Sequence, residues 1–171
     1  SCPLTYEHDA FRQSLKELKV GDIKQGTNLA KAIDTAELFL PDGEEKCFLV
    51  IISDGDDLEQ EGRKAATKTD GHLCIHTIGV GTEAGGPIPL DPVGKPPRKF
   101  YKEDGQVIKA MMDASWLRDI AVATGGEYQN LGKTGNGLEK ILSKLQEIGN
   151  GKRQILNEPE QTTLTLTKEF P

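Results

Sequence analysis

One stretch constrains this chain more than any other: Cys47-Phe48-Leu49-Val50-Ile51-Ile52, six apolar residues without a break, bounded by Asp42-Gly43 before and Asp54-Gly55 after. The run is too short for a helix and rich in β-branched side chains. An extended segment that is apolar on both faces belongs at the centre of a parallel sheet, where helices cover both sides. A parallel neighbour needs a crossover of about a dozen residues or more. The sequence supplies one: residues 58 to 69 read as a helix ending at Asp70-Gly71, and Leu73 to Val80 then reads as a second buried strand. The nucleus of the fold is a strand-helix-strand unit.

The flanking pattern extends this unit. Phe11, Leu15 and Leu18 recur at helical spacing, as do Leu29, Ile33, Ala36 and Leu40 until Pro41 stops the run. Residues 81 to 109 lose the helical period, and within them Lys99 to Lys109 reads as a hairpin turning at Asp104-Gly105. Asp113 or Ser115 can cap a helix carrying Leu117, Ile120 and Ala121, which Gly125-Gly126 ends. Glu127 to Leu131 reads as a third short strand. A last amphipathic helix places Leu138, Ile141, Leu142, Leu145 and Ile148 on one face and is expected to stop at Gly149. Residues 150–171 form a polar tail whose Thr162 to Thr167 alternation is at most a weak edge strand. The alternation predicts a three-layer, doubly wound α/β fold of Rossmann-like type. Ligands in such folds sit beyond the carboxyl ends of the strands, here after Ile52 and after Val80.

At 171 residues the chain is the size of one domain. It contains no run approaching the ~20 apolar residues of a membrane span. Its net charge of −6 is unevenly spread, since the first 85 residues hold 16 of the 27 acidic side chains and nine of the 21 basic ones. From Asp42 to Glu61 eight carboxylates face a single cation, Lys46, with Arg63 just beyond. That stretch disfavours phosphate-backbone binding and favours a cation. Cys2, Cys47 and Cys74 are widely spaced and lack a C-x-x-C, so they read as buried free thiols rather than a disulfide or zinc framework.

Two loops carry the candidate chemistry. Ser53-Asp54-Gly55-Asp56-Asp57 puts three carboxylates at a strand end, where they would attract protons or a hard cation such as Mg²⁺. The spacing fits equally well an arrangement in which Asp57 caps the next helix, Asp56 is solvated and Gly55 only turns the chain. Thr27 is a second oxygen donor, which taken alone reads as a helix N-cap. Gly79-Val80-Gly81 does not complete a dinucleotide fingerprint. His76 reads as a core histidine, His72 as a turn residue, His8 as a helix start and Trp116 as a packing residue.

Gly26-Thr27-Asn28-Leu29, Phe48 to Gly55 and Ile75-His76-Thr77-Ile78-Gly79-Val80-Gly81 together resemble successive segments of a von Willebrand factor type A (VWA) domain. Gly79 to Leu90, Asp104-Gly105-Gln106-Val107 and Leu117-Arg118-Asp119-Ile120-Ala121 running into Thr124-Gly125-Gly126 are similar to the BatB-like members of the bacterial Bat (aerotolerance-operon) group. Cys2-Pro3-Leu4-Thr5 also suits that group. The resemblance implies a partial VWA domain over 1–149 and a tail or juxtamembrane linker over 150–171, with a mostly parallel sheet and a hairpin insertion near 99–109. It implies a metal-ion-dependent adhesion site (MIDAS), in which Thr27 and Asp54 match the second and third ligand loops. The first part, an Asp-x-Ser-x-Ser turn, occurs nowhere in the chain, which begins beyond the first strand, first helix and second strand of such a domain. The gap implies an uncovered sheet edge, so the fragment alone is expected to self-associate.

The function implied by the resemblance is a non-enzymatic, divalent-cation-dependent protein-binding module of a bacterial inner-membrane complex, with the domain on the periplasmic side and a role in stress or aerotolerance. Mg²⁺ held by Thr27, Asp54 and the missing serines would meet a partner's acidic residue. Sibling Bat or tetratricopeptide-repeat proteins are the implied partners; nucleic acid is not. Membrane attachment would come through flanking segments. One alternative is a Mg²⁺-dependent phosphatase of the haloacid-dehalogenase type using Asp54 and Asp56, although Leu58 stands where that motif has Thr or Val. Another is a VWA scaffold that has lost its metal.

Overall fold

A computed structural model describes residues 7–17, 27–40, 45–57, 61–69, 71–90 and 99–157. In chain order the elements are α1 (His8–Glu17), α2 (Leu29–Glu37), β1 (Cys47–Ser53), α3 (Gly62–Lys68), β2 (Leu73–Gly79), β3 (Gly86–Pro87), β4 (Lys102–Glu103), β5 (Gln106–Val107), β6 (Lys109–Ala110), α4 (Ala114–Ala123), β7 (Tyr128–Asn130) and α5 (Asn136–Asn157). The main sheet is parallel, in the order β1-β2-β7. Every residue of β2 is buried, His76 and Thr77 included, as befits a strand flanked on both sides.

Side-chain alternation along the strands sorts the core into two layers. On one face Cys47, Leu49, Ile51, Leu73 and Ile75 meet Leu29 and Ile33 of α2, Ala65 and Ala66 of α3, and Leu117 and Ile120 of α4. On the other face Cys74, His76 and Ile78 are buried beneath α5, which brings in Ile141. Helices therefore lie on both faces of a parallel sheet, the three-layer α/β arrangement expected from the alternation.

The sheet departs from expectation at β1. Among the described residues it is an edge strand, and β2 takes the centre. Its α5-facing side is incompletely covered, with Ile52 54% exposed. The apolar run marks burial potential without saying which strand lies next to it. Residues 58–60, Leu18 and the Thr162 to Thr167 alternation fall outside the described residues. Phe11 and Leu15 are half exposed, and α1 buries none of its described side chains.

The insertion after β2 is an antiparallel arm. Asp104 (φ 48°) and Gly105 (φ 80°) make the left-handed turn that joins β4 to β5, as the Asp-Gly dipeptide predicts. β3 pairs with β6, and three backbone bonds close a ring where the segments meet: Ile88 N to Ile108 O, Ile108 N to Tyr101 O and Tyr101 N to Ile88 O.

The last helix corrects a second expectation. α5 continues through Gly149 to Asn157. A helical glycine costs only about 1 kcal/mol relative to alanine, and a stop requires the left-handed conformation that Gly149 does not adopt. Long as it is, α5 carries too many charges to span a bilayer; no described helix is long and apolar enough to cross a membrane.

Candidate functional site

The parallel register brings three loops to one edge. Ser53 pairs with Gly79 and Gly79 with Asn130, while Val80 N donates to Ser53 O (2.9 Å) and Leu131 N to Gly79 O (2.9 Å). The Asp54–Asp57 loop, the Val80 loop and the Leu131 loop therefore leave the sheet side by side, at the carboxyl ends of the strands.

The acidic loop divides its labour. Asp57 is 7% exposed and accepts from three elements: its Oδ1 takes Leu29 N (3.2 Å), and its Oδ2 takes Gly62 N (2.9 Å) and Trp116 Nε1 (3.3 Å). One buried carboxylate thus satisfies the first backbone amides of α2 and α3, whose positive dipole ends favour it, and anchors the indole of α4. Glu61 holds the N-cap position of α3, so Asp57 serves that helix only by accepting from its first amide, one of its three bonds. Trp116 packs against the core and is also a hydrogen-bond donor.

Asp54 and Asp56 are exposed. Asp54 Oδ1 accepts from Asp56 N (3.2 Å), Ser53 Oγ accepts from Gly55 N (3.1 Å), and Asp54 O accepts from Asp113 N (2.8 Å). Gly55 is more than a turn residue. Its φ is +83°, and a Cβ there would lie 2.3 Å from Asp113 O, so the loop closes onto the start of α4 only with glycine.

Asp113 is the N-cap of α4. Its Oδ1 accepts from Ser115 Oγ (2.6 Å), Ser115 N (3.1 Å) and Trp116 N (3.1 Å). The Ser115 hydroxyl, followed by the backbone amide of Trp116, holds the Asp113 carboxyl below its ordinary pKa. Gly55, Asp56, Asp57, Met111, Asp113 and Trp116 line a cavity of about 220 Å³.

Thr27 is half-buried and is not the N-cap. Asn28 caps α2, its side chain accepting from Lys31 N (2.7 Å). The Leu29–Asp57 bond fixes the segment that begins with Thr27 to the loop that begins with Asp54. The linkage is through Asp57, which has no motif to announce it: two of its three partners lie 28 and 59 residues away in sequence.

The donors fit a hard cation in kind, since Asp54 and Thr27 offer oxygens. They do not fit in number. Mg²⁺ asks for about six oxygens, whereas Asp57 is consumed by N–H groups and no three His, Cys, Asp or Glu among the described residues form a metal-holding group. A complete site needs ligands beyond these residues. On the opposite face, His76 is 1% exposed and its Nδ1 accepts from Glu127 N (3.1 Å), the satisfied core histidine the sequence predicts. Burial, reinforced by Lys144, lowers its pKa. Burial raises that of the neighbouring Cys74 thiol. Cys47 and Cys74 are free.

The fold and this edge define a class: an open, parallel, three-layer α/β domain whose functional loops gather at the carboxyl ends of its strands. The sequence matches no family model and no curated protein. Two solved structures share the fold. One is an aerotolerance-related membrane protein from Bacteroides fragilis, at 23% identity and a TM-score of 0.74 over 86% of this chain and 73% of that one. The other is a conserved hypothetical protein, BatB, from Bacteroides thetaiotaomicron, at 22% identity and a TM-score of 0.70 over 85% of this chain and 72% of that one. At these identities the likeness is one of fold.

Proposed function

We propose that this chain is a Bat-type VWA domain of a membrane-associated assembly, acting as a protein-binding module rather than an enzyme. The observation that carries the reading is the joining, through buried Asp57, of the Thr27 segment and the Asp54 loop at the carboxyl edge of a sheet whose fold is shared with an aerotolerance-related membrane protein. A divalent cation at Asp54 and Thr27, completed by ligands from elsewhere in the protein and by water, would supply positive charge for a partner's carboxylate. The chain's own residues do the positioning: Asp57 orients the two loops, and Gly55 lets the acidic loop close against α4.

The test is capture of the native partner by the full-length protein, in Mg²⁺ and in EDTA. Asp54→Ala is expected to weaken Mg²⁺-dependent capture about 30-fold, the loss of about 2 kcal/mol that marks an interface hot spot. Capture that is indifferent to both EDTA and Asp54→Ala would remove the cation site from the reading.

A further inference from the structure

Between the ends of β2 and β7 the carboxyl edge opens into a second cleft, of about 610 Å³. Its floor is apolar, made of Val80, Met112, Leu131 and the ring of Tyr128. Size and lining match those of ligand clefts, which run from about 300 to 1,000 Å³ and set a few polar groups in an apolar bed. The polar groups here are nearly all donors. The Arg118 guanidinium sits 4.8 Å from the centroid of the Tyr128 ring. Neither Arg118 nor Lys133 forms an ion pair or hydrogen bond among the described residues. Tyr128 Oη and Asn130 Nδ2 face only the Met112 thioether, at 3.9 and 3.8 Å, which is a weak acceptor. Asn130 has its oxygen committed to Gly132 N (2.8 Å), so its amine is the group left for the cleft.

Against the two cations and the Asn130 amine the lining offers one carboxylate, Glu83, while the Thr82 and Tyr128 hydroxyls can serve either way. Gly79 keeps the walls in place: a Cβ there would lie 2.7 Å from Met112 Sδ and 2.8 Å from Tyr128 Oη. The cleft is short of acceptors and of apolar contacts, and one kind of ligand supplies both.

We propose that this cleft docks a protein partner's segment in which an acidic side chain adjoins a large apolar one. Arg118, placed over the Tyr128 ring, presents its fork to the carboxylate with Lys133 adding charge, and the apolar side chain lies on Met112 and Leu131. Charge complementarity selects an acidic segment, and the apolar floor favours a peptide over inorganic phosphate. The inference rests on the reading of the chain as a protein-binding module, but it uses neither Thr27 nor Asp54.

Fluorescence anisotropy of the labelled peptide Gly-Leu-Asp-Phe-Gly with the full-length protein, in EDTA, tests it. Saturable binding is expected, weakened about tenfold or more when the peptide's Asp becomes Asn or when the protein carries Arg118→Ala, since a charge-assisted hydrogen bond is worth at least that factor. Arg118→Glu should exchange the preference to Gly-Leu-Lys-Phe-Gly. Peptide binding should be equal in Mg²⁺ and in EDTA, which separates this site from the cation-dependent one. No saturable binding up to millimolar peptide, equal binding of the Asp and Asn peptides, or indifference to Arg118→Ala overturns the proposal. So does displacement by inorganic phosphate as effective as that by unlabelled peptide, which would make the cleft a phosphate site.

Discussion

Asp54, Asp56 and Asp57 are identical side chains within four positions, yet only one is structural. Composition counts all three toward a cation site; burial removes Asp57 from that count, because its oxygens face the amides of α2 and α3 and the Trp116 indole. Its neighbourhood gives little to distinguish it, since only Gly62 is close in sequence and the other two donors lie 28 and 59 residues away. Asp57→Ala would strand three N–H groups at a site 7% exposed. Each unsatisfied group costs about 1–3 kcal/mol, and partial relaxation makes a total of about 2–4 kcal/mol the expected loss. Urea unfolding followed by Trp116 fluorescence measures it directly, with Asp54→Ala as an exposed control expected to stay within about 0.5 kcal/mol. A loss of less than that for Asp57→Ala would show that the carboxylate does not hold the loops together.

At the level of elements, legibility followed the strength of the local signal. β2 and the Asp104-Gly105 turn were readable because a mostly apolar run bounded by turn residues and an Asp-Gly dipeptide each admit few conformations. The end of α5 was not, because a glycine without a left-handed conformation does not stop a helix. Nor does apolarity reveal that β1 borders the described sheet. The junction of β2, β7 and α5 makes a separate prediction. His76 faces Cys74 on its own strand, Glu127 before β7 and, through Glu127, Lys144 of α5, which pairs with that carboxylate. Its folded pKa lies below the ordinary 6.5. The unfolded chain therefore binds the proton first as pH falls, and the native state loses stability from about pH 6.5 down to the folded pKa, with no contribution from this group above that window. Urea midpoints should stay nearly level between about pH 7.5 and 6.5 and fall from about 6.5 to 5.5, and His76→Gln should flatten that fall. Equal slopes in both proteins would remove His76 as the cause.

Across the whole molecule, three loops from three adjacent parallel strands reach one edge, and both the acidic loop and the donor-rich cleft lie along it. The fold class was legible because strand and helix patterns alternate. The joint use of that edge was not, since it depends on the register that sets Ser53, Gly79 and Asn130 level. Site-specific photocrosslinking of the full-length protein in its native cells tests this most directly, with a photoreactive residue at exposed position 56 on the carboxyl edge or at exposed position 72 just before β2, on the opposite edge. If the carboxyl edge is the binding surface, position 56 gives a discrete crosslinked partner that is lost with Asp54→Ala, and position 72 gives none. A partner crosslinked from position 72 and not from 56 would contradict the account.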